Sequence, residues 1–458
     1  MDTELWLSLP QTIEKSKKQY AHFDFRTDLS KCADYVKDPN NIATHSFYPF
    51  IHYKKKMIKY FLRKDERGKK VKERDICYAA HIDRCILQYY SFLLNQLYNR
   101  RLRTDNIYHV PVAYRTDLHE NNIKTSKKAF DFMRSNPRNY IMIGDFTKFF
   151  DRLDHNYLKK QWCSLLNSTY LPADHYNIFK NITRYSWWEL DDLLHLNGLT
   201  DTKSNRQKLN KRQTVLTREQ FHKNRSHIQR NKYSYGIPQG SPISALLANV
   251  YMLDVDRYIN QVVTSYCGLY MRYSDDFIIV LPLIDENAAI KTLSELTSYL
   301  NTVPGLTLEP DKTQYYLYDN GQLENCGKRF HADADTNKRF VNFLGFTFDG
   351  NRVSIRSKTI SKYYYKMYRK AKTITKNSGY TSNGTKISGE NLYKHYSIDG
   401  AKSKNGNFIS YVLRAADVYK DDQFFEQITK RHKQKIRKAL KRGKMVGSVS
   451  ITPKRNSE

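Results

Sequence analysis

The chain has 458 residues, enough for two to three domains with sizeable cores, which excludes a peptide module or a disulfide-stabilised mini-protein. Its 77 Lys and Arg residues outnumber 46 Asp and Glu residues, and the formal net charge of +31 favours a polyanionic partner. Because 14% of the residues are aromatic, the composition indicates a folded basic protein and not a disordered basic tail.

The cysteine pattern and the N-terminus bear on the cellular compartment. The six cysteines lie far apart without a CxxC pair or a zinc-ligand spacing, which favours a reduced, cytoplasmic setting. The first residues, MDTELWLSLP, carry acids where a signal peptide would carry bases. The longest apolar run, residues 277–284, is too short to span a bilayer and contains Pro282. We therefore expect neither secretion nor membrane insertion.

Three elements are predicted in the first third of the chain. The segment KKVKERDICYAA, residues 69–80, is typical of a basic strand or turn. A helix is predicted from His81 to Leu102, because apolar residues recur there every three or four positions. Between Tyr140 and Phe150 the apolar run IMIGDFTKFF predicts a short strand that ends at Asp145.

Later in the chain, LYMRYSDDFIIVL over Leu269–Leu281 predicts a β-hairpin with two adjacent carboxylates at its tip. Residues 203–232 hold ten Lys or Arg and one acid with little periodicity, which favours a basic insertion or finger-like loop. After Gly350 the pattern is mostly helical, interrupted by a Gly/Ser/Asn-rich stretch at 376–389. Residues 428–444 are strongly basic, and only the last ten or so residues are expected to be disordered.

The acids in these elements are unusual in their surroundings. Asp145 lies between an apolar strand and Phe149–Phe150, and Asp275–Asp276 are two adjacent, mutually repelling carboxylates in an apolar hairpin. Magnesium, bound by one or two carboxylates together with substrate phosphates, would neutralise them, and two such ions can promote phosphoryl transfer. A solvated hairpin turn is the alternative for these residues taken alone.

Between the two acidic sites lies a glycine-rich turn, YGIPQGSPIS, at residues 235–244. Two Gly and two Pro predict a tight loop, and the apolar periodicity that follows predicts a helix capped by Ser241 or Ser244. A loop that leads into a helix N-terminus is suited to anionic or flat ligands, although an ordinary loop–helix connection has the same pattern.

The motifs DFTKFFDRLDH, GIPQGSPISALLANVY and YSDD, in this order, resemble those of reverse transcriptases, particularly the bacterial group related to group II intron, retron and antiphage-defence enzymes. The resemblance covers roughly residues 70–350. It implies an α+β right-hand polymerase with fingers, an antiparallel palm sheet and a helical thumb. The implied domains are an N-terminal extension and fingers at 1–135, a palm at 136–350 that carries the basic insertion, and a helical C-terminal region at 351–458.

The resemblance implies roles for individual residues. Asp145, Asp275 and Asp276 match the catalytic, metal-binding triad, with the Phe146 carbonyl as a further ligand. The implied cofactor is a pair of Mg²⁺ ions, with Mn²⁺ as an alternative.

Further residues match nucleotide and primer contacts. Phe150 matches the aromatic that excludes a 2′-hydroxyl, Gln239 the residue beside the incoming nucleotide, and Lys312 the lysine beyond the catalytic hairpin. Arg74 and Arg115 resemble finger residues that approach the triphosphate, with an ordinary surface base as the alternative for both and for Lys312. Within Asn342–Phe346, the residues Phe343, Leu344 and Gly345 resemble the turn that grips the primer end.

The implied activity is RNA-directed synthesis of DNA from deoxynucleoside triphosphates. Residues 203–232, the faces from Arg356 to Lys372, and 428–444 are candidate channel-lining segments that would hold phosphates without reading bases. Because no nuclease spacing follows residue 350, the stand-alone group linked to phage defence fits better than intron mobility. We expect a structured noncoding RNA as template and partner, DNA as product and no membrane. A homo-oligomer is left open.

Three other functions remain open at this point. The chain could be a template-independent or protein-primed DNA polymerase of the abortive-infection type. It could be a non-catalytic RNA-binding protein on a polymerase fold, although the intact acids speak against this. An RNA-directed RNA polymerase also uses paired Asp residues, but Phe150 and YSDD favour deoxynucleotides.

Overall fold

A computed structural model describes residues 2–441 apart from 64–65, 284, 332–333, 335, 377–378, 382–385, 404–405 and 421–431. The chain divides into two compact units. Unit 1 comprises Met1–Arg115 and Gly144–Thr313, and unit 2 comprises Thr116–Ile143 and Gln314–Glu458. The predicted domain boundaries at 135 and 350 remain predictions, since this division follows packing and not function.

Unit 1 is a mixed α+β unit. Its helices are α1 (Thr3–Ser8), α2 (Pro10–Ser16), α3 (Leu29–Lys37), α4 (Pro39–Thr44), α5 (His81–Thr104), α7 (Phe149–Arg152), α8 (His155–Leu165), α9 (Ala173–Thr183), α10 (Leu190–Leu196), α11 (Lys203–Asn210), α12 (Arg218–Lys223), α13 (Ser244–Tyr251), α14 (Leu253–Ser265) and α15 (Glu286–Thr302). Its strands are β1 (Phe50–Arg63), β2 (Glu66–Tyr78), β4 (Ser186–Glu189), β5 (Gln229–Arg230), β6 (Leu269–Tyr273) and β7 (Asp276–Pro282).

The predicted helix from His81 is confirmed as α5. Its buried residues Ile86, Tyr90, Leu94 and Tyr98 follow one another at intervals of four. Residues at this spacing lie on one helix face, and burying that face stabilises the helix far more than its intrinsic propensity does.

The basic segment before α5 is confirmed as a strand. β2 pairs antiparallel with β1 in a long hairpin, and the sheet order is β2–β1–β4–β5. β1 also pairs in parallel with β4, where His52 is opposite Glu189. The His52 ring contacts carboxylates on both sides, with Nδ1 2.7 Å from Glu189 and Nε2 3.0 Å from Asp75. These contacts hold the base of the hairpin.

The prediction of a loop at 203–232 is wrong. This segment forms α11, α12, a short 3₁₀ turn at Arg225–His227 and strand β5. Leu209, Val215 and Leu216 are buried in a cluster around Trp188, with Phe221 packed against it. The sequence masks this packing because the apolar anchors are few and widely spaced among charged residues.

The helix predicted after the glycine-rich loop is present but differs in its start and its length. Neither serine caps it, because Ile243 is the N-cap and the Ser244 hydroxyl instead donates to the Pro238 carbonyl at 2.7 Å. The helical pattern is also interrupted at Met252, which has non-helical backbone angles and separates α13 from α14.

Unit 2 contains α6 (Asn122–Ser135), α16 (Ser357–Lys376), α17 (Gly389–Tyr396) and α18 (Phe408–Tyr419), and residues 432–441 are also helical. Its strands are β3 (Arg138–Asp145), whose last two residues belong to unit 1, β8 (Gln314–Asp319), β9 (Gln322–Asn325), β10 (Val341–Phe343), β11 (Phe346–Phe348) and β12 (Val353–Ile355).

β3 pairs antiparallel with β8, and β8 with β9, while β10, β11 and β12 form a separate antiparallel sheet. The helical prediction after Gly350 holds from Ser357 onward, since β12 comes first. α16 buries Tyr363, Met367 and Ala371 along one face. Of the basic segment 428–444, residues 428–431 and 442–444 lie outside the described residues. The last ten or so residues, which were expected to be disordered, also lie outside them.

The α+β class is therefore confirmed. Among the described residues, no helix combines the length and the apolar character needed to cross a bilayer.

Candidate active site

The predicted acidic hairpin is present as β6 and β7. Tyr273 pairs with Asp276, so that Ser274 and Asp275 form the tip. Ser274 has a φ of 62°, a left-handed conformation that is costly for a residue with a side chain and needs support from its surroundings. The Tyr114 hydroxyl lies 3.2 Å from the Ser274 Oγ, and Arg272 Nη1 donates to the Ser274 carbonyl at 3.0 Å. The turn that carries the acids is thus fixed by its neighbours.

Arg272 belongs to a fully buried charge network below this turn. Its guanidinium donates to Asp256 through Nε at 2.8 Å and Nη2 at 2.6 Å, and the Tyr270 hydroxyl donates to the same carboxylate. Asn249 accepts a further bond from Arg272 at 3.2 Å. Burial alone lowers the pKa of Arg272, but the Asp256 charge outweighs it and raises the pKa, so the pair stays ionised.

Asp145 ends β3 as predicted and is only 8% exposed. The next backbone N–H, of Phe146, donates to the Asp275 carbonyl at 3.3 Å, which joins the two acidic segments. Lys312 Nζ lies 2.5 Å from Asp145 Oδ1. Gly144, directly before Asp145, lets the Phe277 ring pack against the backbone, because a Cβ at this position would lie 2.2 Å from that ring.

The three carboxylates repel one another inside unit 1. Burial, followed by the charge of Asp145, raises the pKa of Asp275. Burial, a hydrogen-bond contact with Asp145 and the charge of Asp275 raise the pKa of Asp276 to about 7. Burial lowers the pKa of Lys312, but its contact with Asp145 outweighs this and the net shift is upward. The site therefore holds a protonated lysine beside acids with an unfavourable excess of negative charge.

The donor chemistry of this site fits a divalent cation. Carboxylate oxygens are the ligands that Mg²⁺ prefers, and the crowding that raises these pKa values is relieved by bound positive charge. In the part of the chain that the structure describes, no three His, Cys, Asp or Glu side chains lie close enough together to form a metal site. Asp145, Asp275 and Asp276 are the residues that would hold the ion, and the Phe146 carbonyl directly follows Asp145 in the chain.

A second group of predicted residues lies near the glycine-rich loop. The half-buried Phe150 is in α7, and its carbonyl accepts the Ile237 N–H at 3.0 Å. The Gln239 side-chain amide donates to Asp151 Oδ1 at 3.1 Å. The structure thereby connects the predicted sugar-selecting aromatic with the loop that carries the predicted nucleotide contact.

Other predicted residues are placed differently. Arg74 is exposed on β2 opposite Lys55. Arg115 is 5% exposed, and its guanidinium donates to the Tyr108 carbonyl at 2.6 Å and lies over the Tyr108 ring, so in this structure it supports its own loop. Leu344 and Gly345 form the positive-φ turn between β10 and β11 in unit 2, next to Phe343. The contacts of Arg74 and Arg115 with the triphosphate remain predictions, as do the primer contacts of residues 343–345.

Several supporting residues were not predicted from the sequence. Asp151 orients Gln239, and burial together with the charge of Asp75 raises its pKa, partly offset by the Gln239 hydrogen bond. The Glu309 backbone N–H donates to the Asp145 carbonyl at 2.8 Å. Asp151 could have been predicted, because it directly follows the predicted site residue Phe150. The pairing of Asp256 with Arg272 could not, because it spans 16 residues and leaves no local pattern.

The sequence profile of the family described as "Reverse transcriptase (RNA-dependent DNA polymerase)" matches residues 84–348, more than half of the chain. The chain belongs to this family. The reverse transcriptase domain contains all three carboxylates, Phe150, Gln239 and Lys312. Arg74 and the β1–β2 hairpin precede it. No curated protein matches the chain in sequence.

Solved structures similar to this chain include two telomerases. Telomerase from Candida albicans in complex with a TWJ fragment of telomeric RNA is 15% identical, with a TM-score of 0.39, and the match covers 93% of this chain and 70% of that one. Apo telomerase from Candida Tropicalis, truncated from its C-terminal domain, is 13% identical with a TM-score of 0.39, covering 66% of this chain and 55% of that one. Because these TM-scores are low, the family assignment rests on the sequence profile.

Proposed function

We propose that the chain is an RNA-directed DNA polymerase that joins deoxynucleotides by two-metal nucleotidyl transfer. The observation that carries this proposal is the proximity of Asp276 to both Asp145 and Asp275, with Lys312 donating to Asp145, within the region that matches the reverse transcriptase family. In this proposal β6, β7 and the end of β3 belong to the palm, the β1–β2 hairpin to the fingers, and the helices after residue 356 to the thumb.

In this proposal each residue of the site has a separate role in metal binding, charge compensation or nucleotide contact. Bound divalent cations would supply an activated primer hydroxyl and stabilise charge on the attacking and leaving oxygens. The three carboxylates provide the negative ligands, and Lys312 offsets part of their charge by donating to Asp145. The aromatic ring of Phe150 restricts the space for a 2′-hydroxyl, and Asp151 holds the Gln239 amide for contact with the incoming nucleotide.

Primer extension with the purified protein tests this proposal. An RNA template annealed to a labelled DNA primer should be copied when deoxynucleoside triphosphates and Mg²⁺ are supplied, with Mn²⁺ as a parallel condition. Product whose sequence does not follow the template would favour the template-independent or protein-primed alternative. Absence of extension from both RNA and DNA templates, by protein that binds RNA, would favour the non-catalytic alternative.

We further propose that the chain works with a dedicated structured RNA in antiphage defence. The net charge of +31 and the exposed basic face of residues 203–232 support a persistent RNA partner. The role in defence rests on the motif resemblance to the stand-alone bacterial enzymes, which is an analogy of family and not a physical argument.

Expression with the native flanking DNA tests this second step. The bound RNA and its cDNA would be sequenced, and cells carrying wild-type protein or the Asp275→Asn variant would be challenged with phage. One enriched RNA and loss of protection in the variant are expected. A random sample of cellular RNA, together with equal protection by both proteins, would refute the proposed partner and role.

A further inference from the structure

Two adjoining cavities in unit 1 are lined by none of the three carboxylates. The first, here called the tyrosine pocket, has a volume of about 320 Å³ and is lined by Tyr20, Tyr53, Tyr78, Arg206 and Asn210, among others. The second, the basic mouth, has a volume of about 740 Å³ and includes Arg26, Gln207 and Lys211. Tyr20 and Asn210 line both, so the mouth and the pocket are direct neighbours. Both volumes are of the size that binds small organic groups.

The tyrosine pocket has aromatic walls that are held in place. The Tyr20 and Tyr78 rings meet edge to face with centroids 4.8 Å apart, and Tyr53 meets Tyr78 at 6.3 Å. The Tyr20 hydroxyl donates to the Ala79 carbonyl at 2.9 Å, which fixes that ring. Fixed aromatic faces of this kind stack unpaired nucleobases with little loss of side-chain entropy.

The polar groups of the pocket suit a neutral, flat ligand. Asn210 Oδ1 accepts the Ala21 N–H at 3.3 Å, and this bond directs the amide so that its nitrogen is the group left to donate. Arg206 is neutralised by two hydrogen bonds to Asp201, at 2.5 and 2.8 Å, and its guanidinium lies 5.3 Å from the Tyr53 ring centroid. An amide donor beside aromatic rings is a common environment of a base edge.

The basic mouth, in contrast, has unbalanced positive charge. Arg26 donates to the carbonyls of Asn210 and Arg212 at 2.5 and 2.9 Å, and its Nε is buried without a partner. Among the described residues, Arg206 has its ion pair with Asp201, but neither Arg26 nor Lys211 is paired with a carboxylate. Unpaired cations at the edge of a pocket suit a phosphate.

Gly240 of the glycine-rich loop also lines the tyrosine pocket, next to Cys77. The Cys77 N–H donates to the Gln239 carbonyl at 2.7 Å, and a Cβ at Gly240 would lie 2.5 Å from the Cys77 carbonyl oxygen. An occupant of the pocket therefore rests on the same loop that carries Gln239. Tyr20, Tyr53 and Tyr78 precede the family-matched region, whereas Arg206 and Asn210 lie within it, in α11.

We propose that these cavities bind one nucleotide unit, with its base against the tyrosine rings and its phosphate at Arg26 and Lys211, outside the catalytic centre. The nucleotide comes either from an unpaired stretch of a nucleic-acid strand or from a free nucleotide. Binding here does not require polymerase activity, so it is measured in the Asp275→Asn protein, and a failure of primer extension leaves the result unaffected.

The test compares matched variants in fluorescence anisotropy with a labelled single-stranded oligouridylate, and in competition with uridine and adenosine monophosphates. Tyr53→Leu removes an aromatic wall and should weaken binding about tenfold, equal to ~1.4 kcal/mol, whereas Tyr53→Phe keeps the ring and should bind as wild type. Lys211→Ala should weaken binding several-fold and lower its salt dependence. Lys208→Ala removes an exposed lysine of α11 that lines neither cavity, and it should leave both the binding and its salt dependence unchanged.

The two sources give different results. Sensitivity of oligonucleotide binding alone to Tyr53→Leu identifies a strand nucleotide, and sensitivity of monophosphate competition as well identifies a free one. A 4-thiouridine oligonucleotide crosslinked by ultraviolet light should label Tyr20, Tyr53 or Tyr78. If Tyr53→Leu and Lys211→Ala bind both probes as wild type does, or if the crosslinks map only elsewhere, the proposal is wrong.

Discussion

Asp145 and Asp275 are expected to be indispensable for DNA synthesis. Asp145→Asn or Asp275→Asn removes a negative ligand and also relieves carboxylate repulsion, so the fold should survive while synthesis is lost. Primer extension and thermal unfolding measure the two effects separately. Asp34→Asn, at a carboxylate that is 99% exposed, is the matched control. Synthesis at a near wild-type rate in either active-site variant would contradict the assignment.

Phe150 is expected to select the sugar by shape. Its half-buried position and the bond from Ile237 to its backbone fix the ring near the glycine-rich loop. Phe150→Ala should raise the use of ribonucleotides relative to deoxynucleotides about tenfold, or ~1.4 kcal/mol, in competition assays. Phe25→Ala, at a ring that is 69% exposed, should leave the preference unchanged. An unaltered preference in Phe150→Ala would place the selection elsewhere.

At the level of elements, the ion pair of Arg272 with Asp256 connects β6 to α14. Arg272→Met leaves Asp256 buried and uncompensated, and should lower the free energy of unfolding by about 3–5 kcal/mol in urea titrations. Lys291→Met breaks an exposed pair with Glu295 in α15 and should cost no more than about 1 kcal/mol. Adding Asp256→Leu to Arg272→Met should restore much of the stability. If Arg272→Met and Lys291→Met lower the free energy of unfolding equally, the buried pair contributes no more to stability than the exposed one.

The ion pair of Arg272 with Asp256 also bears on activity. The Arg272 guanidinium also supports the Ser274 carbonyl in the left-handed turn, so loss of the pair displaces Asp275 and Asp276 as well. The double variant should therefore regain stability without regaining the full rate of DNA synthesis. Single-turnover extension at saturating nucleotide measures that difference.

For the whole molecule, buried histidines predict sensitivity to acid. Burial lowers the pKa of His22 to about 3, and its Nε2 donates to the Tyr78 carbonyl at 3.2 Å. The unfolded chain takes up this proton near pH 6.5 while the folded chain does not. The contribution of His22 to the free energy of unfolding is therefore complete above pH 6.5. It is lost as the pH falls toward 3, by at most about 1.4 kcal/mol per pH unit.

His22→Gln keeps the hydrogen-bond donor but does not titrate. Its urea-unfolding free energy should fall less steeply than that of wild type between pH 6.5 and 4.5, whereas His195→Gln, at an imidazole that is 63% exposed, should follow wild type. Parallel curves for wild type and His22→Gln would contradict the burial argument.

Binding of nucleic acid should be mainly electrostatic and shared by several basic segments of the molecule. If a duplex contacts roughly six to ten phosphates, its affinity should drop by about 10³ to 10⁵ between 50 and 200 mM salt. Arg437, Lys438 and Lys441 are exposed on the helix at 432–441, and neutralising them together with Arg442, which lies outside the described residues, should lower this slope. Neutralising the exposed Lys15, Lys17 and Lys31 is the control. If the salt slope of this variant equals that of wild type, residues 428–444 do not line the nucleic-acid channel.

The sequence by itself determined the local elements and the identity of the acids. The α5 face, the strand that ends at Asp145 and the hairpin that carries Asp275–Asp276 follow from periodicities of 3.6 and 2 residues, which neighbouring positions specify. The motif order also determined the family. These features need no knowledge of distant contacts, because turn residues and apolar spacing act within a few positions.

Only the tertiary structure decided the features that depend on distant pairs. The ordered packing of residues 203–232 depends on contacts of Leu209, Val215 and Leu216 with Trp188, and the helix start at Ser244 depends on a bond to Pro238. The burial of Arg115 and the network of Arg272 with Asp256 likewise leave no periodic trace. Desolvation and hydrogen bonding decide what a charged residue does, and both are set by neighbours that are remote in sequence.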